Sequence, residues 1–317
     1  MRRLLGALVT CVLVGGGCTS DGSPEPARGT PDTAVVDDLV PLTVANGAEI
    51  ARFVDGRSEA LFRFSEGDAA LALSGPEGEG IVAQQRFDDR SDVVRIVDGR
   101  SETIAKNAGL LGTAVVEGTP MVVYATCNEA PGKERRGDIV LFDVRTSDTR
   151  RLADACGVEY GVSRVSFGGG VFVASATSDL TEVFRFYEPD GDEVEDRPNP
   201  TDDLPYNEPP FLSDAVLSPD GSSLAYLEAP DVSGVTGSQQ KRSGDFNVVV
   251  IDERKGNELA RVKLPDPATQ YRRLDYDGRW LVISEGEGAR VRVVDTDADD
   301  PRQVAIGAEG IASIMRS

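Results

Sequence analysis

Apolar residues along this chain come in short runs rich in Val, Ile, Leu and Phe, bounded by Gly, Asp, Asn and Pro. Runs of this kind read as strands separated by turns. No amphipathic helix of three turns is readable after residue 35. Two markers recur. One is a β-rich run ending on an acid: Val93 to Asp98, Ile139 to Asp143, Val183 to Glu188, Val248 to Asp252 and Val291 to Asp295. The other is a glycine turn between two apolar runs, at Gly67, Gly118, Gly169, Gly221 and Gly278. The markers alternate five times. Each unit therefore reads as four strands: two around the glycine, then the acid-ended strand and a more polar one. Asp98-Gly99 and Asn46-Gly47 suit two-residue hairpin turns. A four-stranded unit of roughly 45 residues in tandem predicts an all-β fold, a β-propeller of four-stranded blades.

The five units account for residues 58 to 306. Leu39 to Phe53 resembles the last two strands of a further blade, and Ile311 to Met315 a first strand. Joined, they make a sixth blade closed by both termini and remove the open sheet edge at the seam. Six blades is the predicted count, with five as the alternative. In a propeller the loop between second and third strands shares a face with the connection between blades. Ser74 to Ser91, Cys127 to Gly137 and Ala229 to Asp245 are read as long second-to-third loops, and Arg197 to Leu212 as a connection between blades. All four are expected on one face, where long loops on a rigid scaffold carry binding sites. The predicted partner contacts there are Tyr206 and Phe211, in a proline-stiffened stretch, and the basic island of Lys133, Arg135 and Arg136. Glu129 and Glu134 offset that island. Cys127 and Cys156 fall on the same face. In an exported protein they are expected to form a disulfide.

The segment Leu217-Ser-Pro-Asp-Gly-Ser-Ser-Leu-Ala-Tyr226 resembles the SPDG repeat of TolB-like and WD40-like bacterial propellers, and Asp275 to Leu281 is a nearby variant. The copies at Gly67, Gly118 and Gly169 lack the Pro-Asp pair. The resemblance implies the propeller architecture over most of the chain. It also implies roles such as periplasmic interaction scaffold or non-catalytic domain of a peptidase, and it carries over no functional residue.

The N-terminal segment has another character. Arg2 and Arg3 precede an apolar run from Leu4 to Val14, too short to span a bilayer, and then Gly15-Gly16-Gly17-Cys18. This resembles a bacterial lipoprotein signal, with Gly15 where Leu is usual. The resemblance implies that residues 1–17 are removed and that Cys18 is lipidated, palmitate being among the acyl groups. An ordinary secretory signal cleaved nearby is the alternative. Residues 18–35 hold almost nothing large and apolar and read as a flexible tether. Residues 36–317 are left for the propeller.

Composition removes several chemistries. The chain has no His, so nucleophile systems built on imidazole and His-ligated metals are excluded. With 33 Lys+Arg against 54 Asp+Glu, its net charge of -21 argues against binding nucleic acid. No cofactor or metal site is expected. Asp295 to Asp300 begins like a calcium loop but has Asp300 where Gly is needed and Ile306 where Glu is needed. The sequence thus points to a membrane-anchored, extracytoplasmic, non-catalytic module that binds a protein or ligand at the cell envelope. The alternative is a hydrolase or lyase that acts on an envelope glycan with carboxylates in the central channel. Two or three acids with an Arg lining that channel would favour the alternative.

Overall fold

The computed structural model describes residues 38–75, 80–128, 136–154, 162–178, 181–202, 204, 210–229, 231–233, 241–243, 246–264, 273–284 and 290–315. These residues build strands and turns only, arranged as six antiparallel blades around a central channel and one two-stranded ribbon. Near the N-terminus come β1 (Leu42–Asn46), β2 (Glu49–Val54) and β3 (Arg57–Arg63). The next blade is β4 (Asp68–Ser74), β5 (Ile81–Arg86), β6 (Ser91–Val97) and β7 (Arg100–Ala105). It is followed by β8 (Ala108–Val116), β9 (Thr119–Asn128), β10 (Arg136–Asp143) and β11 (Thr149–Asp154). The fourth sheet holds β12 (Val162–Gly168), β13 (Val171–Ser178) and β14 (Thr181–Tyr187). The fifth holds β15 (Phe211–Leu217) and β16 (Ser223–Ala229), with a small ribbon of β17 (Asp231–Ser233) and β18 (Lys241–Ser243) inserted before β19 (Asn247–Asp252) and β20 (Glu258–Lys263). The last sheet is β21 (Arg273–Tyr276), β22 (Trp280–Ser284), β23 (Arg290–Asp295) and β24 (Gln303–Glu309). The chain then returns to the start. β25 (Ile311–Ile314) pairs antiparallel with β1, Leu42 opposite Ile314 and Ala45 opposite Ile311.

The sixth blade is therefore composite, in the order β25-β1-β2-β3, with its inner strand from one end of the chain and three strands from the other. The front piece supplies three strands instead of the expected two. Gly67 accordingly joins the outer strand of this blade to the inner strand of the next, and does not form a hairpin within one blade. A second correction follows. Ser74 to Ser91 is not a second-to-third loop, because Ile81–Arg86 within it is the second strand β5, paired with both β4 and β6. Its polar half, Gln84-Gln85-Arg86, hides a strand whose first half is buried. The true second-to-third connection of that blade is only Phe87 to Arg90, closed by the Phe87 amide on the Arg90 carbonyl at 2.8 Å. The other three long segments are bounded by the strands expected of them, β9 and β10, β16 and β19, and β14 and β15, and much of their length lies outside the described residues. The β12–β14 sheet also lacks a full fourth strand. In its place the chain turns at Gly191 and makes one bridge between Tyr187 and Glu193.

The core is distributed. Six apolar clusters occur, one between each pair of neighbouring blades, and no single centre unites them. Sheets packed on both faces explain why third strands such as Val248-Val249-Val250-Ile251 are apolar at successive positions. The acid that ends these strands has a local task. Oδ1 of Asp143 accepts the amides of Arg145 (2.7 Å) and Thr146 (3.2 Å), and Oδ1 of Asp252 those of Arg254 (2.9 Å) and Lys255 (3.0 Å). The side chain thus holds the turn into the outer strand.

The SPDG turn works similarly and adds a contact between blades. Oδ1 of Asp220 accepts the amide of Ser222 (3.0 Å) and the hydroxyls of Ser218 (2.7 Å) and Ser222 (2.8 Å). These bonds, the Ser222 amide first, hold the Asp220 carboxyl below its ordinary range. The Pro219 carbonyl accepts the Gly169 amide of the neighbouring blade at 3.0 Å. At Gly168 a β-carbon would lie 1.9 Å from the Ser218 carbonyl oxygen, so only glycine lets the two turns approach.

Three substitutions test this packing. Ile314→Ala removes a buried side chain at the seam (4% exposed) and should cost about 3 kcal/mol, lowering the thermal midpoint by roughly 6 to 12 °C. Leu259→Ala, at a position 59% exposed, should barely move it in the same scanning calorimetry. Gly168→Ala should cost more than about 3 kcal/mol, since backbone must shift on both blades.

Candidate functional site

The inner strands β25, β4, β8, β12, β15 and β21 ring the channel, each touching the next. An inner strand has a neighbour within its sheet on one side only. Its other edge presents amides and carbonyls that must find partners or water. The protein meets this need with polar side chains sent across from the preceding blade. Leu110 N–H donates to Oε1 of Gln84 (3.1 Å), Ala215 to Oγ of Ser175 (2.9 Å), and Leu217 to Oγ of Ser166 (3.1 Å). Ala312 donates to Oγ of Ser284 at 2.8 Å. Three of these acceptor positions are taken by carboxylates. Asp214 N–H donates to Oε2 of Glu182 (2.7 Å), Leu274 N–H to Oδ2 of Asp214, and Ile314 N–H to Oδ2 of Asp275 (2.8 Å).

Arg164 binds the two aspartates together. Its Nη1 donates to Oδ1 and Oδ2 of Asp214 (3.1 and 3.3 Å) and to the Leu274 carbonyl, and its Nη2 lies 3.5 Å from Oδ1 of Asp275. All three side chains are buried. Local backbone irregularities aim them. Asp214 sits at a register shift between Ser213 and Val216, in a left-handed conformation (φ 56°) that Asp tolerates better than most residues. Arg164 follows a register shift between Val162 and Arg164. One edge of strand β12 is thereby tied to β15 and β21.

A cavity of about 220 Å³ opens beside this cluster. Arg164, Asp275 and Arg273 line it on one side, with Leu111, Val115, Val165, Phe167 and Ile314 among its apolar walls. Arg273 begins β21, and its guanidinium differs from that of Arg164. Its Nε and Nη2 are closed off from solvent and make no hydrogen bond among the described residues. Burial, and then the like charge of Arg164, pull its pKa down to about 10, against the opposing pull of Asp214 and Asp275. Arg273 is therefore a cation at neutral pH, with Nε and Nη2 unpartnered among the described residues. Among the described residues, no group of three or more His, Cys, Asp or Glu is arranged to hold a metal ion.

The residues singled out from sequence fare differently. Phe211 is only 3% exposed and belongs to the apolar cluster between the fifth and last blades, so its ring is used internally and offers no partner contact. As first residue of β15 it marks where the chain re-enters the core. Arg136 is placed by its backbone as the first residue of β10, opposite Asn128, and Cys127 pairs with Gly137. Cys18, Lys133, Arg135, Cys156 and Tyr206 lie outside the described residues, as do the side chains of Cys127 and Arg136. The lipid site, the disulfide and the basic island are therefore not located. The acidic stretch at Asp295 is a turn, with Asp295 held by Arg279 (2.8 Å) and by the Asp297 amide (3.1 Å). Arg164, Asp214 and Arg273 were not anticipated. In the sequence Asp275 stands out only as part of a turn motif, yet that turn is held by Asp277, whose Oδ1 accepts the amides of Arg279 (2.9 Å) and Trp280 (2.6 Å).

No protein-family profile matches the chain, and no curated protein matches it at a significant level. Solved structures do match. TolB from Acinetobacter baumannii superposes with a TM-score of 0.57 at 14% identity, over 86% of this chain and 66% of that one. A structure of a nidogen/laminin complex gives 0.56 at 12% identity, over 88% and 99%. Oligogalacturonate lyase in complex with manganese gives 0.50 at 12% identity, over 81% and 70%. At such identities the likeness is one of fold, and the chain spans just under two thirds of the TolB chain's length. The protein is a six-bladed β-propeller of TolB-like architecture.

Proposed function

We propose that this propeller is a non-catalytic binding module, held at the extracytoplasmic side of the cell membrane by a lipid on Cys18. The observation that carries the binding reading is the state of the channel carboxylates. Asp214 and Asp275 accept main-chain amides of Leu274, Tyr276 and Ile314 and share Arg164, so their oxygens serve the ring. General acid or base work needs a carboxyl able to reach a substrate proton and exchange it. Neither aspartate is arranged that way. What the channel offers instead is a fixed cationic group beside an apolar wall, which suits recognition. The protein partners expected from the sequence would use the face of the connections between blades.

A lyase or hydrolase is the second reading, because two acids and two arginines do meet beside the channel cavity and one structure of similar fold is an oligogalacturonate lyase. The two are separated by incubating the protein with oligogalacturonate, with and without manganese, and following the ultraviolet absorbance of an unsaturated product. No turnover is expected. Turnover that Asp214→Asn or Asp275→Asn abolishes, while the fold survives by circular dichroism, would replace the binding reading with the enzymatic one. Both substitutions are expected to lower the thermal midpoint, because each weakens a buried ion pair.

The anchor is tested separately. In a bacterial host that processes lipoproteins, the full chain should fractionate with membranes and incorporate labelled palmitate. Cys18→Ser should abolish the label and release the protein. Unchanged membrane association of Cys18→Ser would disprove lipid attachment at this residue.

A further inference from the structure

We propose that the channel cavity is a binding site for a small carboxylate with an apolar body, its carboxylate held by Arg273. This deepens the binding reading above and rests on it. Arg273, Arg164 and Ser74 line the cavity, and behind its surface Nε and Nη2 of Arg273, Nε of Arg164 and Oγ of Ser74 have no hydrogen-bond partner among the described residues. The neighbouring acceptors are spoken for. Asp214 takes Arg164 and the Leu274 amide, and Asp275 takes the Tyr276 and Ile314 amides as well as Arg164. Donors in excess, with the acceptors consumed, call for a ligand that brings acceptor oxygens. A buried guanidinium without a counter-oxygen is costly, and an anion that reaches it gains charge-assisted bonds in a shielded site.

Two features narrow the ligand class. Leu111, Val165, Phe167 and Ile314 make the remaining wall apolar, which penalises a fully hydrated inorganic ion and favours a hydrocarbon portion. About 220 Å³ is room for a small organic acid. The two aspartates balance the two arginines in overall charge. Nε and Nη2 of Arg273 have no hydrogen bond among the described residues, so a ligand carboxylate meets a cation whose hydrogen-bonding capacity is not used up.

The test uses the full chain, 4-methylpentanoate as probe, and titration calorimetry with thermal melting. Saturable binding of 4-methylpentanoate and a rise in the thermal midpoint are expected, with 4-methylpentanamide and inorganic phosphate at least about tenfold weaker. Arg273→Met should remove the response while circular dichroism shows the fold retained. Val115→Trp should weaken binding by filling the cavity from another wall, with Arg273 intact. The proposal is overturned if the probe does not bind at millimolar concentration, if the amide or phosphate binds equally, or if Arg273→Met binds undiminished. Each of those results leaves the binding-module reading standing. That reading falls only to the aspartate-dependent turnover described above.

Discussion

Everything in this molecule depends on inner strands that have one free edge. A six-bladed ring cannot pair its inner strands with each other as a closed barrel does, so a row of amides faces the axis with no ladder to join. The chain answers with side chains from the blade before: Gln84, Ser166, Ser175, Glu182, Asp214, Asp275 and Ser284. These bonds run in one rotational sense and cross four of the six junctions between blades. The same polar atoms that close the ring therefore line its channel, and structure and recognition draw on one set of groups. Asp214 and Asp275 are committed to the first task, which leaves Arg273 for the second.

The six apolar wedges make a related demand. Each blade is buried on both faces, so no blade keeps its core if a neighbour leaves. Closure at β25 and β1 completes the sixth wedge as well as the sixth sheet, joining Leu42, Val44 and Ile314 to Trp280, Val282 and Val293. Four residue pairs at the seam thus support a far larger apolar surface than their own.

What could be read from sequence was what acts locally. Asp143 and Asp252 bond amides two and three residues onward, so their mark on the sequence is a strand ending in an acid, repeated. The hairpin at Asp98-Gly99 is local too, and both residues take the positive φ that the dipeptide advertises. Gly67 misled because a glycine turn looks the same whether it joins two strands of one blade or two blades. β5 was missed because its outer half is polar. Phe211 was misassigned because an aromatic at the end of a proline-rich stretch also starts a buried strand. The channel cluster was invisible for a different reason. Arg164, Asp214 and Leu274 meet across separations of 50 to 110 positions, set by the geometry of the ring. The available hint was a charge inside an otherwise apolar strand, as at Asp214 in β15, where every residue is buried.

The place of β1 in the composite blade has a mechanical consequence. Residues N-terminal to Leu42 enter the sheet at a strand clamped on both sides, by β2 and by β25. Traction applied there runs along the strand axis, at right angles to hydrogen bonds on both flanks. Those bonds must slide together, under shear, where a strand at the rim would peel away one bond at a time.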